Sequence, residues 1–118
     1  MRFRGRSTRC INYATANIKA QTIEYKNTRL ALLATTAERY YQILKFQALI
    51  ALNSERKNTV KQALNAIEKR AKAGAASSAD VTRMRYALSQ VDLNTLMLNS
   101  EFERARLALT ELWQEPQV

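Results

Sequence analysis

Between Asn12 and Gln114 the chain holds a single helix breaker, Gly74, and that one residue decides how the rest can fold. A stretch of about sixty residues free of glycine and proline, rich in Ala, Leu, Glu, Lys, Arg and Gln, has the makings of a long helix. The turn signals that a β fold needs every ten residues or so are missing, so the expected fold class is all-α. Gly74 follows a last turn bearing Lys69, Arg70 and Lys72, where a left-handed residue closes a helix without a Cβ penalty. Ser77 and Asp80 then stand at capping-box spacing, with a short acid where Glu is more usual. The serine hydroxyl can accept from the Asp80 N–H while the carboxylate reaches back. Ala76 and Val81 occupy the places of a small hydrophobic staple. A helix stop and a helix start this close together predict the tip of a helical hairpin, although the same spacing also suits an ordinary helix–helix turn.

Taken in order, residues 1–11 carry Arg2, Arg4, Arg6 and Arg9 ahead of any periodic pattern and are expected to form a disordered basic arm. The hairpin is expected over residues 12–114, with helix one at 12–73, the tip at 74–77 and helix two at 78–113. Residues 115–118 form a tail around the helix-ending Pro116. In helix one, Ala16, Ile23, Leu30, Ala37, Leu44 and Ala51 recur every seven residues, with Ala20, Leu33, Tyr40, Tyr41 and Ala48 between them. This is a heptad pattern built on small residues. The run Asn53 to Thr59 is wholly polar, after which Val60, Leu64, Ile67 and Ala71 resume in a shifted phase, suggesting a stutter or a local break. A compact three-helix bundle would need that break.

Helix two is more regular. Val81, Met84, Leu88, Val91, Thr95, Leu98, Phe102, Ala105, Leu109 and Leu112 alternate intervals of three and four without a miss. Leu64 and Ile67 should meet Met84 and Leu88 near the tip. Tyr86, Leu93, Met97 and Leu107 lie off that seam, so helix two has apolar groups to bury on two sides, which two helices alone cannot do. Helix two also spans only ~50 Å against ~90 Å for helix one, which leaves Ala16 to Leu33 without a partner in the hairpin.

The net charge of +9 would suit a polyanion or an anionic membrane, yet most of the basic residues are spread through the helices as a solvated face would be. The chain has no histidine, no clustered acids and no Gly-rich phosphate loop, so no residues are candidates for catalysis, for a cofactor or for a metal site. Cys10 is the lone cysteine and follows no apolar run that would mark lipid attachment. No export signal and no transmembrane span are recognisable.

The pattern Arg70-x-x-x-Gly74-x-x-Ser77-x-x-Asp80-Val81, followed by a heptad helix ending Leu109-Thr-Glu-Leu112-Trp113, resembles the TolC-like family of outer-membrane efflux channels. Ala37-Glu-Arg-Tyr-Tyr-Gln-Ile-Leu44 and the terminal Leu-Trp are most similar to the heavy-metal, cobalt-zinc-cadmium branch. The resemblance implies a homotrimer whose protomers donate hairpins to a periplasmic α-barrel below a β-barrel in the outer membrane. It also implies a tripartite export pump, with a periplasmic adaptor and an inner-membrane component as partners. Gly74, Ala75, Ala76, Ser77, Asp80 and Val81 would be the tip that meets the adaptor. Such channels contain two tandem repeats of strands and helices, so a chain with one hairpin would be a fragment, one half-repeat of the barrel. Ser78 replaces a proline common after the tip serine, and Gln114 a glycine after the tryptophan.

Two other readings fit parts of the chain. Adaptor hairpins also turn through Gly-x-x-Ser, but they are expected to be flanked by β-rich segments. A basic coiled-coil scaffold or nucleic-acid-binding hairpin would use Arg56, Lys57, Lys61, Lys69, Arg70, Lys72, Arg83 and Arg85, which are interleaved with few aromatics and match no recognised reading motif. Nucleic acid is therefore not an expected partner.

Overall fold

A computed structural model describes residues 2–114 of the chain, with side chains from Arg4 onward. It contains two helices, α1 (Arg2–Lys72) and α2 (Ser78–Gln114), and no strand among the described residues. The chain divides into two units, Met1–Glu38 and Arg39–Val118. The second unit holds the hairpin, in which the last part of α1 runs antiparallel to α2.

The start of α1 differs from the sequence expectation. The helix begins at Arg2, ten residues ahead of Asn12, so residues 2–11 are helical where a disordered arm was expected. Arginine is a good helix former, and the one glycine there, Gly5, costs only about 1 kcal/mol in a helix interior, too little to stop one. Thr8 donates its hydroxyl to the Arg4 carbonyl at 2.8 Å, a bond that only the helix makes available. The tail expected at residues 115–118 lies outside the described residues.

In the hairpin unit, the inward seam of α2 is the one its periodicity predicts. All ten positions from Val81 to Leu112 are buried or half-buried, Val91 being 2% exposed and Ala105 6%. The facing seam of α1 corrects the expectation. Arg39, Ile43, Phe46, Ile50, Asn53, Lys57, Val60, Leu64, Ile67 and Ala71 are its buried and half-buried members, at alternating intervals of four and three. Leu44, Tyr40 and Tyr41 face solvent instead, as do Ala48 and Ala51. No stutter or break occurs at 53–59, because α1 is continuous there and the polar run supplies two seam residues of its own.

Both of those residues are answered from α2. Asn53, 8% exposed, donates from Nδ2 to the Val91 carbonyl at 3.2 Å and to Thr95 Oγ1 at 2.8 Å. Lys57 Nζ lies 2.6 Å from Asp92 Oδ1, a buried atom with no other partner. Arg39 donates to the Ala108 carbonyl at the far end, and Arg85 pairs with Glu68 at 3.0 Å nearer the turn. Burying a polar group is tolerable only when it is bonded, a condition that Asn53 meets through its two hydrogen bonds and Asp92 Oδ1 through its ion pair with Lys57 alone.

In the first unit every residue from Arg4 to Ala34 is exposed. Ile11, Ile18, Ile23, Leu30, Leu32 and Leu33 are among them, at 48–64% exposure.

Candidate functional site

The turn is built from the stop and start signals in the sequence. Gly74 has φ +77°, the left-handed conformation that L side chains rarely adopt. The Ala75 N–H donates to the Arg70 carbonyl at 2.8 Å and the Gly74 N–H to the Ala71 carbonyl at 3.1 Å. Together these form a Schellman closure of α1. α2 then opens on the expected capping box. The Asp80 N–H donates to Ser77 Oγ at 3.3 Å, and Asp80 Oδ2 accepts from the Ser77 N–H at 3.3 Å and from its hydroxyl at 2.9 Å. The hydroxyl bond foremost, then the backbone N–H, holds the Asp80 carboxyl below its ordinary range.

The six tip residues are thus brought together at one end of the hairpin. Gly74, Ala75 and Ser77 are exposed, whereas Ala76, Asp80 and Val81 are half-buried. Beside them is a shallow depression of about 420 Å³ lined by the apolar Ile67, Ala76 and Met84 and by the charged Arg70, Arg83 and Asp80. The tip is basic: residues 68–85 carry Lys69, Arg70, Lys72, Arg83 and Arg85 against Glu68 and Asp80. Among the described residues no group of His, Cys, Asp and Glu is arranged to hold a metal ion.

The other motifs that carried the resemblance divide between seam and surface. In the stretch 37–44, Arg39 and Ile43 join the seam while Tyr40 and Tyr41, ring centroids 6.4 Å apart, face outward. Leu112 is half-buried and Trp113 is 79% exposed. The outward stripe of α2 is also exposed, with Tyr86 at 66%, Leu93 at 54%, Met97 at 67% and Leu107 at 63%. Both helices of the hairpin therefore have an apolar inner seam and apolar groups on the opposite face.

Sequence reasoning missed Asn53, Lys57 and Arg39 as cross-helix contacts. Counting back from Val60 in steps of three and four would have reached all three. Among the described residues no helix is long and apolar enough to cross a membrane.

A family model described as "Outer membrane efflux protein" matches residues 2–114. Comparison with curated proteins and with solved structures gives no match.

Proposed function

This chain belongs to the outer membrane efflux protein family, and on that footing we propose that it supplies a periplasmic helical hairpin to a trimeric efflux channel. In this reading it works within a tripartite pump, as a single half-repeat of the channel's α-barrel, and it sits in the heavy-metal branch. The tip residues Gly74, Ala75, Ala76, Ser77, Asp80 and Val81 meet the periplasmic adaptor. The family is one of transport channels, and its members' place is the outer membrane and periplasm.

The observation that supports this most is the two-sided apolar character of both hairpin helices. Tyr40, Tyr41, Leu44 and Leu52 on α1 and Tyr86, Leu93, Met97 and Leu107 on α2 are exposed opposite the seam. A hairpin that had only its own two helices to satisfy would have polar outer faces. A hairpin in a barrel has a neighbour on each flank, and such stripes are what those neighbours would cover. The tip fits its role for a different reason, because small side chains at 74–76 let another backbone approach closely.

The test is site-specific crosslinking in a full-length channel carrying this hairpin. Cysteines at Ala75 or Ser78 should crosslink to the adaptor's hairpin, and one at the exposed Ser54 should not. Equal crosslinking at all three positions would remove the tip-specific contact.

A further inference from the structure

We propose that the depression at the turn selects a partner helix tip that presents a carboxylate beside an apolar side chain. This rests on the docking reading above and names the chemistry of the partner. The apolar part of the lining, Ile67, Ala76 and Met84, suits an apolar side chain in place of a polar one. Its volume of about 420 Å³ is enough for a side chain or two and too little for a helix.

The charged part of the lining carries the charge preference. Both acids of the tip are already committed: Glu68 holds Arg85 at 3.0 Å, and Asp80 is turned back onto the Ser77 N–H and hydroxyl. Arg70 forms no ion pair among the described residues. Arg83 comes only within 3.9 Å of Asp80, with its side chain 84% exposed. Arg70 is therefore free to donate, and Arg83 keeps N–H donors to spare beside one long, exposed ion pair to Asp80, which also lines the depression; a planar fork of N–H donors matches a carboxylate in bidentate fashion. A phosphate could use the same donors, but it would leave the apolar lining empty. The partner is accordingly a protein side-chain pair, acidic next to apolar.

The full chain is titrated with three synthetic helical-hairpin peptides that differ only in one tip residue, Glu, Gln or Lys, set beside a leucine. Backbone amide shifts of residues 70–84 report binding at the site. The Glu peptide should bind about ten-fold more tightly than the Lys peptide, and the gap should narrow as salt rises from about 0.05 to 0.5 M. In the double variant Arg70→Gln, Arg83→Gln, with helicity checked by circular dichroism, the Glu preference should vanish while the Gln peptide binds as before. Equal affinities for Glu and Lys, or a preference that survives in the double variant, would overturn the proposal and leave the docking surface in place. Inorganic phosphate displacing the Glu peptide at equal concentration would also overturn it, in favour of a general anion site. If no peptide moves these amides and the adaptor crosslink at Ala75 is absent too, both this inference and the docking reading fall.

Discussion

Residues 39–114 and residues 4–34 are written in the same pattern and live in different circumstances. The three-four spacing of the α1 seam continues, as spacing, from Arg39 back through Thr36, Leu32, Arg29, Tyr25, Thr22, Ile18, Thr15 and Ile11. In the hairpin unit that spacing coincides with burial and with hydrogen bonds to α2. Over residues 4–34 it coincides with nothing, since every residue there is exposed. Thr15 and Thr22 even turn their hydroxyls back onto the carbonyls of Ile11 and Ile18, at 2.7 and 2.8 Å. A heptad pattern therefore reports that a helix is made for a partner, not that the partner is part of the same hairpin. Each large aliphatic side chain in the first unit would gain about 1.5–3 kcal/mol on full burial, which is why an assembled state is expected to cover them.

The sharpest contrast should come from one kind of substitution made in both regions. Val91→Asp places an unpaired charge in the most buried position among the described residues and should cost about 3–5 kcal/mol, whereas Ile18→Asp, measured at a dilution where the chain is monomeric, should change the melting by no more than about 0.5 kcal/mol. Equal losses in thermal melts would mean that the first unit is as well covered as the second.

At the turn, Gly74→Val should cost about 1–3 kcal/mol, because φ +77° is strained for a β-branched residue whatever the space around it. An unchanged denaturation curve would remove the left-handed assignment.

The cross-helix polar layer can be separated from apolar packing at a single position. Asn53→Ala should cost about 1–2 kcal/mol through the lost bonds to Val91 and Thr95, and Asn53→Leu should recover most of that loss by apolar burial. If both variants lose equally, the hydrogen bonds and not the volume dominate there.

The capping box gives the smallest effects. Ser77→Ala should cost about 1 kcal/mol. The Asp80 carboxyl has its pKa lowered from 3.8 in the folded state, so its contribution is fully present above that value and is lost as the pH falls through the lowered one. Chemical denaturation at pH 6 and below pH 3.5 should show the Ser77→Ala deficit shrinking in acid.

Much of the hairpin was legible because its signals are local. The left-handed glycine, the Ser77–Asp80 box and the ten-position seam of α2 need only near neighbours in sequence, and all three are found as expected. The α1 seam was not legible by hydrophobicity, because Ala37, Leu44 and Ala51 form an apolar row while the inward row runs through Arg39, Asn53 and Lys57. Those three qualify as seam residues only through Ala108, Val91, Thr95 and Asp92, which lie 35 or more positions away in sequence. The helical start at Arg2 was obscured by an arginine cluster that has the composition of a flexible arm and also of a helix. The tip was legible as a turn, and its local signals of small side chains and exposed arginines name no partner.

The central claim is that this hairpin has more apolar surface than it can cover by itself. Sedimentation of the isolated chain across a micromolar dilution series, with circular dichroism on the same samples, tests it most directly. The account predicts species larger than a monomer and helicity that falls on dilution as the first unit loses its cover. A sharp monomer whose near-complete helicity is independent of concentration would contradict it.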